Sequence, residues 1–487
     1  MTGSGRDWVR FLLLIVLAML VILGYAALAR SASGVGLPLD DAWIHQTYAR
    51  NLGQRGEWAF IPGEASGGST SPLWTALLAV GYALEADPLG WAWAWGAVFL
   101  ATVGWVSWQW LEARANVRRR FGWLVSVLLV CEWHLVWAGA SGMETLAQAL
   151  VVVLVLFAAE RRWAPVVQGL LVGVGVWIRP DAVILLLPAA WSIAFVPRQS
   201  LRGAARGWLA MGGGLALLAL PYLAFNLNFS GEIWPSTFYA KQAEYASMLE
   251  QPLALRLVQQ WGIGLVGAGA VLAPGLGISI WQDAARRRWA RLAPILWWLT
   301  FLAVYAARLP VTYQHGRYAM VAIPVMLVLG WEGLQGTFIA AAVRLRWVLP
   351  RAWGAAASAV TLGFLVLGAQ AYARDVAVIN TEMVATARWI AAHTPPGALI
   401  AAHDIGAVGY FGQRPLIDLA GLITPEVVPF LRDEARLARY LDARQADFLM
   451  TFPGWYPGLT AGREPVYHSS ADISPGLGGE NMAVYAW

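Results

Sequence analysis

A chain of 487 residues is long enough for several soluble domains, but its composition excludes that class. It is 59% hydrophobic and only 13% charged, whereas soluble domains carry about 25% charged residues, so most of the chain must face lipid. The net charge of +5 comes from basic residues spread over short loops, which does not indicate a nucleic-acid surface, and the single cysteine, Cys131, excludes an intramolecular disulfide.

Long apolar runs predict eleven membrane-spanning helices, because a span needs about 20 apolar residues. The first run follows Arg6 and Arg10, as a signal peptide would. We interpret it as a span instead, because it is long and many similar runs follow. The predicted spans are residues 11–29, 88–111, 121–139, 143–159, 164–178, 181–196, 207–228, 257–280, 291–307, 318–341 and 353–373.

Residues 72–84, "PLWTALLAVGYAL", are an exception among the apolar runs. Ser71 followed by Pro72 predicts a helix start. Thirteen residues form only about 20 Å of helix, which is too short to cross a bilayer. We therefore predict a re-entrant or interfacial helix.

Basic residues orient the predicted spans, since cytoplasmic loops are rich in Lys and Arg. With 72–84 excluded as a span, 18 of the 34 basic residues fall in the segments predicted to be cytoplasmic, against eight in the external loops before residue 374. This predicts a cytoplasmic N-terminus and an external C-terminus. The predicted cytoplasmic segments are the N-terminus and residues 112–120, 160–163, 197–206, 281–291 and 342–352.

The last part of the chain, residues 374–487, changes character and predicts a small external α/β domain beside a transmembrane domain of residues 1–373. Strand and helix patterns alternate, which favours a parallel core. The predicted elements are a helix at 381–393, a strand at 398–403, a short helix capped by Asp404, a strand at 415–418, a helix at 433–445 and a strand at 447–452.

The first external loop, residues 30–71, contains the adjacent pair Asp40 and Asp41, with His45 close behind. Long irregular loops near a bilayer are usually functional or disordered. In a structural interpretation Asp40 is an N-cap and Asp41 complements the helix dipole. That explains the second aspartate only weakly, so we also predict catalysis for the pair.

Charged residues at other predicted external positions complete a candidate site. Lys241 is the only lysine, and it either reaches the membrane interface or holds a phosphate as a point charge. Arg317, Arg179 and Asp181 lie at span ends, where ionisable residues are functional candidates. The alternatives are that Arg179 only pairs with Asp181 and that Glu144 only favours a helix N-terminus.

The sequence disfavours a zinc site and a nucleotide-binding site. The external histidines are scattered, without H-x-x-x-H or H-E-x-x-H spacing, so no zinc site is predicted. The predicted cytoplasmic loops are too short for a nucleotide site. An enzyme with this topology would take its activated group on a lipid, with cations holding the lipid phosphate and an external aspartate as general base.

These stretches carry a family resemblance. "DDAWIHQTYARNL…FIPGEASGGSTSPLW" (40–74) resembles the first external loop of GT-C superfamily glycosyltransferases, in particular bacterial membrane enzymes related to the mycobacterial terminal arabinofuranosyltransferases. Departures from the family pattern at 66–74 and 235–237 leave the sugar open. Further matching stretches are "SGMET" (141–145), "RPD" (179–181), "PSTFYAK" (235–241), "GRY" with a following proline (316–324) and "DIGAVGYFGQRPLIDLAGL" (404–422).

The resemblance implies a mainly α, polytopic GT-C-like fold in the cytoplasmic membrane. It implies an inverting transfer from a polyprenyl-phosphate sugar to a cell-envelope glycan or glycolipid on the external face. Asp40 would be the base, with Asp41 orienting the acceptor, the helix or a divalent cation (Mg, Mn or Ca), or the two roles would be reversed. The donor phosphate would lie against Lys241, Arg317 and Arg179. The predicted substrate contacts are His45, Glu144, Asp181, Tyr239 and His315.

Two alternatives stay open on the sequence alone. One is a transferase of the same fold that acts on lipid A or on protein. The other is a non-enzymatic lipid or solute transporter. Transporters often contain halves with matching broken helices, and the sequence has no such internal symmetry.

Overall fold

The computed structural model describes residues 4–115, 122–195, 200–340 and 345–487. Parts of three predicted cytoplasmic loops, residues 116–120, 197–199 and 342–344, lie outside the described residues. The α-helices are α1 (Ser4–Ser33), α2 (Asp40–Arg55), α3 (Pro72–Ala83), α4 (Pro88–Ala115), α5 (Leu124–Val130), α6 (Trp133–Ala140), α7 (Thr145–Glu160), α8 (Pro165–Ile178), α9 (Leu186–Ala194), α10 (Leu201–Ser230), α11 (Ser236–Glu244), α12 (Leu253–Ile263), α13 (Ala268–Ala285), α14 (Ala293–Arg308), α15 (Tyr313–Gly316), α16 (Ile323–Ala340), α17 (Leu345–Val378), α18 (Ala385–His393), α19 (Glu434–Ala443), α20 (Pro457–Thr460) and α21 (Ile473–Gly476).

In the described residues, six helices are long and apolar enough to cross a membrane, and a bent pair brings the number to seven. The protein is therefore an integral membrane protein, and the total of eleven spans stays a prediction. The bent pair is α12 and α13, which meet at 108° around Gly267. The six long helices are Asp7–Ser33, Pro88–Arg114, Leu201–Ser230, Trp289–Arg308, Tyr313–Gln335 and Val348–His393.

The run predicted as one span at 121–139 forms two short helices, α5 and α6. The break lies at Cys131 and Glu132, where the Glu132 carboxylate caps α6 by accepting the Leu135 amide at 2.9 Å. A buried carboxylate needs such donors. His134 lies 2.8 Å from the other oxygen of Glu132. The single continuous helix predicted here is therefore wrong.

The first loop folds back onto the helical bundle. Helix α2 begins at Asp40, as predicted, and α3 is a short helix of 12 residues that packs against it. Gly53 permits this packing, because a Cβ there would lie 2.4 Å from the Ala79 carbonyl oxygen. The Trp74 indole donates to the Gly142 carbonyl at 2.9 Å, which fixes α3 against the start of α7. Between α2 and α3 lies a hairpin of β1 (Ala59–Ile61) and β2 (Glu64–Ala65).

The C-terminal part contains a five-stranded sheet in the order β4-β3-β5-β7-β6. The three predicted strands are β3 (Ile400–Ala402), β4 (Leu416–Asp418) and β5 (Phe448–Thr451), and they are parallel as predicted. Two strands were not predicted, β6 (Pro465–His468) and β7 (Ala483–Ala486): β7 pairs antiparallel with β5, and β6 pairs antiparallel with β7. Strand β6 is mostly exposed and lacks the buried apolar run that marks the predicted strands β3 and β4.

The helix predicted at 381–393 is the end of one continuous helix, Val348–His393, which includes a π-helical turn at Ile379–Val384. This helix crosses the predicted domain boundary at residue 374. The division into two domains stays a prediction. The remaining 3-10 and π-helical turns are Pro180–Leu185, Ala246–Glu250, Trp289–Leu292, Met320–Ala322, Val408–Gly412, Pro425–Phe430 and Pro453–Trp455.

Candidate active site

A cavity of about 610 Å³, the first cavity, lies between α2, α7, α11, α14 and the turn before α16. Apolar side chains such as Ile184 and Phe238 form part of its wall. A mostly apolar pocket with a few convergent polar groups is the usual form of a ligand site. Seven of the ten predicted site residues line this cavity: Asp41, His45, Glu144, Arg179, Asp181, Lys241 and Arg317.

Asp41 is the acidic centre of the first cavity. Its Oδ2 lies 3.4 Å from Lys241 Nζ and also forms an ion pair with the Arg317 guanidinium. Burial by itself raises the pKa of the Asp41 carboxyl, but the Arg317 and Lys241 charges outweigh burial and hold that pKa well below its usual range. These three residues lie up to 276 positions apart in the sequence, and the fold brings them together.

Arg317 is buried, with 6% of its surface exposed, and it is only partly satisfied. Its Nη2 donates to the Tyr318 hydroxyl at 2.9 Å, and that hydroxyl also accepts from Lys241 at 3.1 Å. Nε and Nη1 of Arg317 are buried without a hydrogen-bond partner in the described part of the chain. An unpaired buried N–H costs about 1–3 kcal/mol, and more when it is charged. These unpaired donors keep the capacity to hydrogen-bond an anion such as a phosphate.

A second polar group forms another wall of the first cavity. Glu144 lies 3.5 Å from His45 Nε2 and 3.7 Å from Arg179 Nη1. Arg179 also donates to Asp181 at 3.0 Å, as the structural alternative required, but Asp181 is not its only partner. The Tyr305 hydroxyl bonds both Arg179 and Asp181. This wall offers charged donors and acceptors to a polar ligand.

Asp40 faces away from the first cavity, toward the C-terminal part of the chain. Its two carboxylate oxygens accept the amides of Gly406 at 2.6 Å and Ala407 at 2.8 Å. Asp40 thus caps the helical segment 406–412 across the tertiary structure. The prediction that Asp404 caps this helix is wrong, because Asp40 takes the two amides and the buried Oδ2 of Asp404 has no partner among the described residues.

The contact between Asp40 and residue 406 is unusually close. A Cβ at Gly406 would lie 2.0 Å from the Asp40 carbonyl oxygen, so this approach requires glycine. Burial and the Asp404 charge raise the pKa of Asp40, and the two amide hydrogen bonds oppose this only in part.

Further contacts hold the same tail segment on α2. Arg50 donates to the Tyr410 carbonyl at 2.8 Å, and its guanidinium lies 4.7 Å from the Tyr410 ring centre. The Trp43 ring packs at 4.7 Å from that of Phe411. Leu422, farther along the tail, lines the first cavity itself. The C-terminal part therefore contributes directly to the shape of the candidate site.

Helix α11 contacts both the first cavity and the C-terminal part of the chain. Lys241 lies on one face of α11, and Glu244, one turn later, lies 3.4 Å from His403 Nε2. Burial lowers the pKa of His403, but the hydrogen bond that its ring donates to Glu244 and the nearby carboxylate charges outweigh burial, so that pKa is raised. Arg432 also donates to the Glu244 carbonyl.

Two predicted substrate contacts do not line the first cavity. Tyr239 is 36% exposed, and it precedes Lys241 by two residues, which places it on another face of α11. His315 lies 2.8 Å from Asp375, beside Trp133 and Trp137. It sits in a turn where both His315 and Gln314 adopt left-handed backbone conformations, and this local geometry is not visible in the sequence.

Sequence analysis missed two aromatic residues of the site, Tyr305 and Tyr318. Tyr305 lies inside an apolar run without a distinguishing signal. Tyr318 belongs to the "GRY" stretch, which was noted for its arginine alone. The two rings stack at 5.7 Å, and the guanidinium of Arg317 lies 4.9 Å from the Tyr318 ring centre.

The residues do not fit a divalent cation at Asp41. Within residues 4–115, 122–195, 200–340 and 345–487, no group of three or more His, Cys, Asp or Glu side chains is arranged to hold a metal ion. Both charged partners of Asp41 are themselves cations.

The chain is similar to one sequence-family model and to solved protein structures. A family model described as a domain of unknown function (DUF8728) matches residues 369–485. No curated protein matches the sequence significantly. The crystal structure of ArnT from Cupriavidus metallidurans bound to undecaprenyl phosphate is similar over 100% of this chain and 98% of that chain, with a TM-score of 0.58 and 14% identity. The apo form of the same protein is similar over 99% and 98%, with a TM-score of 0.58 and 16% identity.

The likeness to ArnT shows the fold. It extends over the whole chain, so the tail and the helical bundle together have an ArnT-like arrangement. The predicted fold class is confirmed: a mainly α membrane protein with an ArnT-like fold and a small C-terminal sheet.

Proposed function

We propose that this protein is a membrane glycosyltransferase that moves a sugar from a polyprenyl-phosphate donor to a cell-envelope glycan or glycolipid. The observation that carries the proposal is the convergence of Asp41, Lys241 and Arg317 in one cavity, where Nε and Nη1 of Arg317 have no partner among the described residues. The fold likeness to ArnT, solved with undecaprenyl phosphate, supports a lipid-linked donor. By the predicted orientation, the reaction takes place on the external face of the cytoplasmic membrane.

Arg317 and Lys241 hold the donor phosphate in this proposal. Arg317 offers an unpaired, charged N–H group to a phosphate oxygen, and Lys241 adds a point charge. The leaving lipid phosphate gains one negative charge when its bond to the sugar breaks. Cations already in position stabilise that charge as it develops, which lowers the barrier.

Asp41 is the proposed general base. The acceptor hydroxyl attacks the anomeric carbon from the face opposite the phosphate, and its proton passes to the carboxylate. The bond between that carbon and the phosphate oxygen breaks, and the lipid phosphate leaves with the electron pair. The configuration at the carbon is thereby inverted. Both cations contact Oδ2 of Asp41, so Oδ1 is the oxygen that takes the proton.

Donor binding would also activate this base. In the empty site the two cations hold the pKa of Asp41 low, which makes it a weak base. A bound phosphate competes for the same cations and shifts the pKa of Asp41 back toward its usual value. The base therefore becomes stronger only when the donor is present.

Asp40, which the family resemblance favours as base, receives a different role in this proposal. Both of its oxygens hold amides of the tail segment, and it does not line the first cavity. We assign it as a positioning residue that fixes the start of α2 and thereby aims Asp41. His45, Glu144 and Arg179 then bind sugar or acceptor hydroxyls, and α3 with the first loop keeps water from the activated sugar.

The test is incubation of the purified full-length protein with a panel of polyprenyl-phosphate sugars and glycan acceptors. Release of lipid phosphate together with a glycosylated product supports the proposal. The Asp41→Asn variant should lose this release, and Glu64→Gln, an exposed carboxylate of the same loop, is the matched control that should keep it. Equal release by Asp41→Asn, or movement of lipid in liposomes without any product, would contradict the proposal.

A further inference from the structure

A second cavity, of about 510 Å³, lies at the other end of the helical bundle. Helix α7 runs from Glu144 at the first cavity to Glu160 at the second. Helix α14 runs in the reverse sense, from Pro294 at the second cavity to Arg308 at the first. Each helix has 16 residues and is therefore about 24 Å long. The predicted orientation places the second cavity at the cytoplasmic surface of the membrane.

The floor of the second cavity is a network of paired charges. Arg114, whose side chain is 1% exposed, donates to Glu332 at 2.8 Å, to Asp283 at 2.8 Å and to Glu160 at 3.1 Å. Arg291 donates to Asp283 at 3.2 Å and also pairs with Glu332. These groups satisfy one another, so the floor is a rigid structural element that needs no ligand.

The rim of the second cavity is formed by Arg162 and Arg288. It differs from the floor because these two arginines are less completely paired among the described residues. The Arg288 side chain is 46% exposed, and its nearest carboxylate, Asp283, is 4.0 Å away. The Arg162 side chain has no hydrogen bond or ion pair within the described residues, and its backbone is in the left-handed region (φ 53°). The four arginines of the cavity lining face the carboxylates Glu160, Asp283 and Glu332, so the cluster keeps one net positive charge, and that charge favours an anion.

Features next to the rim favour a lipid over a free anion. Trp163 is 39% exposed and Trp289 is 44% exposed, and each follows a rim arginine in the chain. Exposed tryptophans of this kind are typical of the membrane–water interface. Leu156 and Pro294 give the cavity an apolar side. Basic pockets between transmembrane helices on the cytoplasmic side suit lipid head groups.

We propose that the second cavity binds the phosphate head group of an anionic phospholipid, with Arg162 and Arg288 as its direct contacts. The phosphate lies over the paired floor, and the acyl chains leave between the helices toward the bilayer. This site is separate from the proposed sugar transfer and does not depend on it.

The experiment is native mass spectrometry of the full-length protein in neutral detergent. The probes are dioctanoyl phosphatidic acid and, as the zwitterionic comparison, dioctanoyl phosphatidylcholine. Phosphatidic acid should bind more tightly. The double variant Arg162→Gln/Arg288→Gln should weaken that binding about 30-fold, since each arginine contributes about 1 kcal/mol, or about fivefold, at an anionic lipid surface.

The matched control is Arg202→Gln/Arg206→Gln, which removes two exposed arginines of α10 on the same predicted side. This control should bind phosphatidic acid as the wild type does. Wild-type affinity in the rim variant, or equal affinity for the two lipids, would overturn the proposal. Displacement of the lipid by inorganic phosphate at the same concentration would also overturn it, because the ligand would then be a free anion.

Discussion

The two charged clusters at opposite ends of the bundle differ in how completely they are paired. All three guanidinium nitrogens of Arg114 donate to described carboxylates. Arg317, equally buried, leaves Nε and Nη1 without partners in the part of the chain that the structure describes. A satisfied network stabilises a single packing arrangement, whereas an unsatisfied buried cation keeps its binding capacity for a ligand. Burial of charge alone therefore does not mark a functional site, but incomplete pairing does.

The largest expected effect is on catalysis at the first cavity. Asp41→Asn keeps the shape of the side chain but cannot take a proton, so the transfer rate should fall by about 10²–10⁴-fold. The measurement is kcat for release of lipid phosphate. The melting temperature should also fall, because the variant leaves the buried Lys241 and Arg317 charges without their carboxylate partner, so kcat is measured on folded protein. A kcat that falls less than tenfold would instead place Asp41 among the structural charges, like those around Arg114.

The second prediction concerns stability at the other cluster. Arg114→Ala leaves three carboxylates short of a partner and should cost about 3–5 kcal/mol, because breaking a buried ion pair leaves uncompensated charge. Arg317→Ala should cost clearly less, because Lys241 still pairs with Asp41. Thermal unfolding of the two variants in the same detergent checks the difference. Equal losses would remove the distinction between the clusters.

Replacing Lys241 should have a smaller effect, and mainly on donor binding. Lys241→Met removes one charge from the proposed phosphate site, and one charge-assisted hydrogen bond contributes about 1.5–3 kcal/mol. The KM for the donor should rise about 10- to 100-fold, with a smaller change in kcat. Lys241→Arg should recover part of the affinity. If Lys241→Met changes only kcat, the lysine does not act by holding the donor.

The smallest expected effect is on how the stability depends on pH, at the contact between the C-terminal part of the chain and the first loop. Burial and nearby carboxylates raise the pKa of Asp404, although the His403 charge opposes this. A group whose pKa is raised on folding stabilises the folded state when protonated. Its contribution is full below about pH 4 and is lost as the pH rises through the folded pKa. The charged or titratable groups that act on this region are Asp40, Asp41, Glu244, His403 and Asp418.

Asp404→Asn should therefore raise the melting temperature at pH 7 and make its decline above pH 4 shallower. Thermal unfolding from pH 4 to 8 measures both effects. Asp433→Asn, an exposed N-cap of α19, is a control that should not alter this slope. A slope unchanged by Asp404→Asn would show that this carboxylate is already charged throughout the range.

Much of this architecture follows from local sequence patterns. The apolar runs predicted a membrane protein, and the alternating tail predicted three parallel strands, because both depend on short-range periodicity. The helix break at Glu132 and the strands β6 and β7 did not follow from local sequence patterns. The first depends on a buried capping carboxylate, and the strands are short segments that pair only through long-range contacts.

The pair Asp40 and Asp41 separates what the sequence determines from what only the tertiary structure determines. The sequence by itself determined that Asp40 and Asp41 begin a helix, and adjacent helical residues point about 100° apart, so the two carboxylates had to face different surroundings. Only the tertiary structure decided which surroundings each one meets. Asp40 reaches amides 366 residues away, and Asp41 reaches Lys241 and Arg317. That choice depends on how the tail packs on α2, and local propensity carries no information about contacts so distant in the chain.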